Sequence, residues 1–439
     1  MYDGGQPFVP PPPQFQQQPP FPPQFNFVPQ QLPQQPPMYP QYQPTPRNGD
    51  VIGQGSFGYI RRYTDVRLPH SQFALKTIHN VFATLNSCRR VYREVKMLGE
   101  LKHENLLAIH DFLRPQDKKF DKIDIITELM ETDLNRILLG PPQNLEPSHF
   151  RVFMYQILRG LKYLHSAGIM HRDMKPHNVL VNSNCLVKIC DFGFARAINN
   201  EPKSHEVVTQ FYRAPEILMG ARQYSEAIDL WATGCIFAEM MTRRVLFEAE
   251  SVVNQIERIV ELLGKPNEAT MAKMNPAMRS HVKMLERSRG PRGLPLNFEF
   301  FQAMCRQSHL DPMEAQAAGG AFELLLALLD VDCVKRATAE QALSYGYLAE
   351  GRERFHREIH SELCPCLQNP YNVEPTVNRT EIAWASCSGK NIDRMVTMEV
   401  HEDLFQYIRR YPLPPGTSQP LFADNAESYH IGDFSKCVV

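Results

Sequence analysis

Between His171 and Gly193 the chain sets charged and amide side chains around short apolar runs. It reads His171-Arg172-Asp173-Met174-Lys175-Pro176-His177-Asn178, then Val179–Val181, a polar turn, and Val187-Lys188-Ile189-Cys190-Asp191-Phe192-Gly193. Three of these groups suit phosphoryl transfer: the Asp173 carboxylate can accept a hydroxyl proton, while the Asn178 amide and the Asp191 carboxylate can hold Mg²⁺. Hard cations take oxygen ligands, and Mg²⁺ keeps waters and phosphate oxygens in its shell, so two protein ligands suffice. A short strand between them presents all three groups on one edge. Either half alone is an ordinary turn; the order and spacing of both together carry the reading.

The rest of the composition removes alternatives. A length of 439 residues makes room for two or three domain-sized units with tails. With 43% hydrophobic and 22% charged residues the chain reads as globular and soluble. A net charge of −1 argues against direct nucleic-acid binding and against attraction to a membrane surface. Only Cys364-Pro365-Cys366 lie close among ten scattered cysteines, without the paired CxxC of a zinc site, so reduced thiols of cytosol or nucleus are expected. The start lacks an apolar core behind basic residues, so no signal peptide is expected. The apolar run 322–329 is interrupted by Glu323 and too short to span a bilayer. The ending Cys437-Val438-Val439 is one residue short of a prenylation box and reads as a plain tail.

Residues 1–46 hold sixteen of the 36 prolines, interleaved with Gln and Phe. Such a segment cannot bury a core and is expected to be disordered or partly polyproline II, either a solvated leader or a ligand for SH3 or WW grooves. At Asp50 the pattern changes to strand, glycine turn, strand: Val51-Ile52-Gly53-Gln54-Gly55-Ser56-Phe57-Gly58-Tyr59-Ile60. Glycine lets backbone amides approach phosphates with no Cβ in the way. A dinucleotide fold would follow this turn with a helix; here Tyr59-Ile60 runs on into a strand, followed by Phe73-Ala74-Leu75-Lys76-Thr77-Ile78. Residues 87–101 have helical spacing, with Val91, Val95 and Leu98 on one stripe. Ile123–Glu128 reads as a strand. A helix is expected over 148–166, with Pro147 at its entry and Gly168 past its end. Asp229-Leu230-Trp231 opens an apolar helix over 232–241, and beyond 349 a further amphipathic helix spans Val400, Leu404 and Ile408.

Taken in order, these motifs resemble the protein kinases over residues 46–348. The resemblance implies an α+β, bilobal fold with a small β-rich N-lobe and a larger helical C-lobe. It implies a leader (1–46), a catalytic domain (47–348) and a C-terminal extension (349–439) partly ordered against it. By the same resemblance Ile52, Gly53, Gln54, Gly55, Ser56, Phe57, Gly58, Tyr59 and Ile60 cover the phosphates of ATP. Lys76 takes the α- and β-phosphates and Glu94 pairs with Lys76, while Thr127 is the gatekeeper and Glu128 to Met130 form the hinge. Asp173 orients the hydroxyl and takes its proton, Lys175 stabilises the transferred group, and Asn178 and Asp191 hold Mg²⁺. Ala214-Pro215-Glu216 closes the activation segment, and Arg336 sits where kinases keep the partner of that glutamate.

Lys175, two residues after Asp173, is similar to serine/threonine kinases. Glu128-Leu129-Met130-Glu131-Thr132-Asp133-Leu134, Tyr212-Arg213-Ala214-Pro215-Glu216 and an additional stretch over 264–311 resemble MAP kinases. Within that group, residues 158–169, Val181-Asn182-Ser183-Asn184-Cys185 and Val207-Val208-Thr209-Gln210 are similar to the nemo-like kinases. Where MAP kinases carry Thr-x-Tyr this chain has Ser204-His205-Glu206, close to the Thr-Gln-Glu of the nemo-like branch. Glu206 supplies a permanent charge, so activation by one phosphorylation at Ser204 is expected, with Arg172, Arg196 and Arg90 as receivers.

Val207 to Arg213 would form a proline-directed pocket, although Gln210 and Phe211 replace the Arg and Trp of MAP kinases. The acidic docking patch is reduced to Glu374, and Tyr345-Gly346-Tyr347-Leu348 stands in place of the usual His-Pro. Cys190 reads as a packing residue or as a thiol open to electrophiles. The resemblance further implies an upstream activating kinase, Wnt and MAP-kinase-type signalling, HMG-box transcription factors of the TCF/LEF type as substrates, and residence in nucleus and cytoplasm. The competing class is a catalytically weak kinase-fold scaffold; Lys76, Asp173 and Asp191, which such scaffolds usually lose, are all present.

Overall fold

A computed structural model describes residues 49–55, 58–65, 67–116, 118–141, 146–197, 210–289, 320–352 and 397–418, with positions 302, 305 and 420. The readings made for the leader, Ser56, Phe57, Ser204-His205-Glu206, Val207 to Thr209, 364–366, Glu374 and 437–439 lie outside the described residues. Those described belong to one compact unit, Arg47–Val439.

Strands β1 (Val51–Gly55), β2 (Gly58–Thr64) and β3 (Gln72–Ile78) form a meander, and helix α1 (Leu85–Glu100) leads to β4 (Ile109–Leu113) and β5 (Ile123–Glu128). The sheet order is β1-β2-β3-β5-β4, antiparallel throughout. Gly55 faces Gly58 across the first hairpin, and Gly58 faces Ile78 of β3. A Cβ on Gly58 would stand 1.8 Å from the Thr77 carbonyl oxygen. The sheet itself therefore demands this glycine, independently of any phosphate. Helix α1 begins at Leu85, just before the periodic stretch, because the Thr84 hydroxyl accepts the Ser87 N–H at 3.1 Å and caps its first turn. Its stripe of Val91, Val95 and Leu98 is buried as the spacing predicts.

The lower lobe starts with β6 (Thr132–Asp133), α2 (Leu134–Leu139) and α3 (Pro147–Ser166). Proline opens α3, where its missing N–H costs nothing, and Gly168, at φ +76°, turns the chain after it. Next come β7 (Ile169–Met170), β8 (Val179–Val181), β9 (Val187–Ile189) and β10 (Arg196–Ala197). The apolar run and the strand before Asp191 form a β8–β9 hairpin with β6 at its edge, and β10 pairs with β7. Gln156, buried in apolar α3, accepts the Val187 N–H at 2.9 Å and donates to the Cys185 carbonyl at 2.7 Å. That amide fastens the hairpin to the helix beneath it.

Helices α4 (Pro215–Leu218) and α5 (Ala227–Thr242) follow. The second starts at Ala227 rather than at 232, which takes Asp229 into its first turn; every residue of it is buried. Helix α6 (Val252–Leu263) leads into the additional stretch, which contains α7 (Glu268–Ala272) and α8 (Pro276–Arg289) and most of whose remainder lies outside the described residues. Then come α9 (Ala321–Leu328), α10 (Ala339–Leu343) and α11 (Thr397–Arg410). Tyr347, in the stretch that replaces His-Pro, is buried with its ring 5.4 Å from Phe237. Among the described residues no helix is long and apolar enough to cross a membrane, and the described cysteines are free thiols.

Glu216 and Arg336 meet in the core through two hydrogen bonds of 2.8 and 3.0 Å. Arg336 also donates to the Ala227 and Asp330 carbonyls and lies 5.1 Å from the Trp231 ring centroid. Removing one partner strands a buried charge, so Arg336→Ala is expected to cost about 3–5 kcal/mol in urea unfolding. The neighbouring Lys335→Ala, which removes an exposed ammonium standing 3.6 Å from Asp332, is expected to cost under about 1 kcal/mol.

Candidate active site

The Asp229 carboxylate, buried at the start of α5, accepts the backbone N–H of His171 and of Arg172, each at 2.8 Å. His165, at the end of α3, reaches the same carboxylate at 2.9 Å. Just past these two amides Arg172 takes a left-handed φ of 71°, uncommon for a residue with a side chain. Burial pushes the Asp229 carboxyl up, but His165 and the amide donors hold it below the usual carboxylate range. Next along the loop, the His171 ring accepts the Asp173 N–H on Nδ1 at 3.3 Å and lies 3.0 Å from the Cys190 carbonyl through Nε2, which puts its proton on Nε2.

Asp173 Oδ2 accepts from Lys175 Nζ at 2.8 Å and from Asn178 Nδ2 at 3.1 Å, while its Oδ1 is buried with no hydrogen-bond partner. The Asn178 amide nitrogen also donates to the Asp173 carbonyl at 2.7 Å, leaving its side-chain oxygen for a cation. The Cys190 N–H donates to the Asn178 carbonyl at 3.0 Å, which sets Asp191 beside Asn178. Asp191 has φ 63° and accepts the Gly193 N–H at 3.3 Å, and Arg90 approaches it at 3.5 Å. Burial raises its carboxyl, yet Lys76 and then Arg90 hold it below the usual range, so it stays ionised at neutral pH. Lys76 and Glu94 form an ion pair. Burial works against the Lys76 charge, but Glu94 and Asp191 outweigh it and hold the ammonium above its ordinary value.

These groups open on one cleft of about 820 Å³. Ile52, Gly53, Gln54, Gly58 and Ile60 line its roof; Lys76, Glu94, Thr127, Glu128 and Met130 line its depth; Asp173, Lys175, Asn178 and Asp191 line its floor. Gly55 stands at the hairpin end opposite Gly58. The Tyr59 ring stacks under Arg61 at 4.1 Å and beside His79 at 5.4 Å, on the strand face away from the cleft-lining Gly58 and Ile60. Cys190 also lines the cleft, but burial and then the Asp191 charge push its thiol well up, which leaves little thiolate for an electrophile.

Four residues of the site escaped the reading of the sequence: Asp229, His171, Lys188 and Arg136. Lys188 is a buried lysine whose Nζ lies 2.9 Å from Glu128 Oε1; the same oxygen accepts the Ala108 N–H at 2.8 Å. The Glu128 side chain thus ties the hinge to β9 and to the chain before β4. A lysine in an otherwise apolar strand was the available signal, the same one that marks Lys76. Arg136 donates to the Ile52 carbonyl at 3.2 Å and pairs with Asp133, joining α2 to β1 across the cleft mouth. The three expected phosphate receivers converge on one place: Arg90 stacks 4.1 Å from the Phe194 ring, Arg172 donates to the Phe194 carbonyl at 3.3 Å, and Arg196 donates to the Ala195 carbonyl at 3.1 Å.

Residues 47–348 match the protein kinase domain. The chain belongs to the protein kinase family. It is 48% identical over 315 residues to serine/threonine-protein kinase NLK2 of Xenopus laevis, spanning 71% of this chain and 67% of that protein. It is 41% identical over 371 residues to serine/threonine kinase NLK of Caenorhabditis elegans, spanning 82% of this chain and 56% of that protein. Mitogen-activated protein kinase 5 of Arabidopsis thaliana is 42% identical over 301 residues, 68% of this chain and 75% of that protein. Within the family the chain is a MAP-kinase-like kinase of the nemo-like type, and it spans 56% of the length of the Caenorhabditis elegans relative.

Asp229→Asn leaves one of the converging donors facing an NH₂ group, and is expected to cost about 1–3 kcal/mol by urea unfolding at pH 7. A carboxyl held low in the folded state contributes stability above its unfolded value and loses it as pH falls through the folded value. The wild-type advantage over Asp229→Asn is therefore expected to be constant from pH 7 down to about pH 4, and to shrink below that.

Proposed function

We propose that this chain transfers the γ-phosphoryl group of MgATP to serine and threonine hydroxyls of proteins. The observation that carries the reading is the Asp173 carboxylate: one oxygen is fixed by Lys175 and Asn178, and the other is buried with no partner. A buried acceptor left open beside a cleft is costly to the fold unless a donor arrives to use it. An incoming hydroxyl is such a donor.

Asp173 Oδ1 orients the hydroxyl and takes its proton as the oxygen attacks. Lys175, already on Asp173, offers its charge to the group in transit. Lys76, held by Glu94, binds the triphosphate, and the amides of the glycine-rich hairpin enclose it. The residues fit a magnesium ion: Asn178 and Asp191 offer one amide and one carboxylate oxygen, and no cluster of three ligating side chains occurs among the described residues, so nucleotide oxygens and water would complete the shell. When bound, Mg²⁺ neutralises phosphate charge. Positioning and fixed charge supply most of the acceleration.

The nemo-like resemblance supports finer readings. Substrates are proline-directed and include HMG-box transcription factors of the TCF/LEF type in Wnt signalling, met in nucleus and cytoplasm. Ser204 is phosphorylated by an upstream kinase. Apart from that resemblance, the proline content of the leader 1–46 suits either a solvated segment or a ligand for SH3 or WW grooves. The catalytic domain covers 47–348, with 349–439 as an extension.

In an assay on a proline-directed peptide library, Lys76→Met and Asp173→Asn are each expected to lower turnover at least about a hundredfold while leaving the fold intact. Near-normal turnover in either variant overturns the assignment, as does a library with no preference for proline after the phosphoacceptor. Ser204→Ala is expected to lose most activity, with phosphopeptide mapping finding Ser204 modified in active wild-type protein.

A further inference from the structure

Helix α11 packs against α1 and ends at Arg410. Tyr411-Pro412-Leu413-Pro414-Pro415-Gly416-Thr417 follows, so Arg409, Pro412 and Pro415 stand three residues apart. Nowhere else in the sequence does a basic residue precede two prolines at this spacing, and the leader 1–46 holds no lysine or arginine. Prolines at 412, 414 and 415 remove backbone donors and fix φ, which favours polyproline II, a helix of three residues per turn.

Exposure follows that period. Tyr411 is half-buried and Pro414 buried, whereas Arg409, Pro412 and Pro415 are exposed, and Leu413 on the third edge is 38% exposed. The inner edge is pinned at both ends. The Tyr411 carbonyl accepts from Arg114 at 2.7 Å, and its ring packs edge-on against Phe112 at 4.9 Å. The Pro414 carbonyl accepts the Thr417 N–H at 3.1 Å and the Thr417 hydroxyl at 2.7 Å, and Gly416 turns the chain at φ +80°. A cavity of about 460 Å³ is lined by residues 412–415 together with Lys102, Ile109 and His110, so the prolines lie against the small lobe without close packing.

We propose that residues 409–415 are a ligand for an SH3-type domain. A polyproline II strand docks in an aromatic-lined groove at little entropic cost, because it is already extended. The cation decides the kind of groove. Arg409, three residues ahead of Pro412, calls for an acidic rim beside the aromatic slots, which SH3 domains carry and the proline-reading grooves of WW domains do without. The exposed edge of Arg409, Pro412 and Pro415 makes first contact. Such a groove takes two edges of the strand, so full engagement lifts Tyr411 and Pro414 from the small lobe. Docking on the lobe and capture by the partner therefore compete, and the apparent affinity of the chain falls with the fraction of segment released.

The full-length chain is titrated with a purified SH3 domain of the class that takes its basic residue first, by isothermal titration calorimetry. Saturable binding is expected, weakened about tenfold or more by Arg409→Glu and by the pair Pro412→Ala with Pro415→Ala. Loosening the inner edge is expected to tighten binding about threefold, through Arg114→Ala or, should that variant not fold, through Phe112→Leu. No binding by the wild-type chain overturns the proposal, as does binding that survives the paired proline substitutions and so belongs to the leader. A WW domain bound equally by wild type and Arg409→Glu overturns the SH3 assignment, and unchanged affinity in both loosened variants overturns the competition. None of these readouts involves turnover, so they are independent of the kinase reading.

Discussion

One buried negative charge, Asp229, organises the catalytic stretch. An ionised carboxylate in a protein interior is costly unless its oxygens are filled by donors. Here two consecutive backbone amides and one imidazole fill them, at 2.8, 2.8 and 2.9 Å. The bargain constrains both sides. Once both amides are held, the left-handed turn at Arg172 redirects the chain and starts the path on which Asp173, Asn178 and Asp191 face a common space.

The same economy recurs around the cleft. Glu94, Lys76, Asp191 and Arg90 form a chain of alternating charge in which Glu94 and Asp191 favour the Lys76 ammonium and Lys76 and Arg90 favour the Asp191 carboxylate. Asp173 is the exception. Its Oδ1 is buried on the floor with no hydrogen-bond partner, and the proposed function rests on that oxygen. Helix α1 joins these charges to the turn after Asp191 and, on another side, to α11, so the polar cleft and an apolar interface far along the chain share one rigid element.

Much of this was legible in the residues. Gly53 to Gly58, Lys76, the 171–178 loop and Asp191 announce themselves because their chemistry demands particular residue types at short, fixed spacing. Helix α3 was readable within a residue, because Pro147 and Gly168 punctuate it. Helix α5 was not: its apolar run suggested a start at 232, whereas Asp229 lies inside the helix, held there by tertiary donors that local pattern does not contain. Gln156 and Arg136 were equally silent, since a lone glutamine or arginine reads as solvated until its partner is known.

By itself, then, the sequence determined the kinds of local structure, the order of the elements and the reactive groups, all of which are written in periodicities and spacings of a few residues. Tertiary structure decided which distant groups are buried together: the His171 amide with Asp229 across 58 positions, Glu216 with Arg336 across 120, and Tyr407 and Tyr411 on Gly99. The reason is physical. Local propensity acts through the backbone's own neighbours, whereas the stability of a buried charge or a missing Cβ depends on whatever distant atoms the fold brings within a few ångströms.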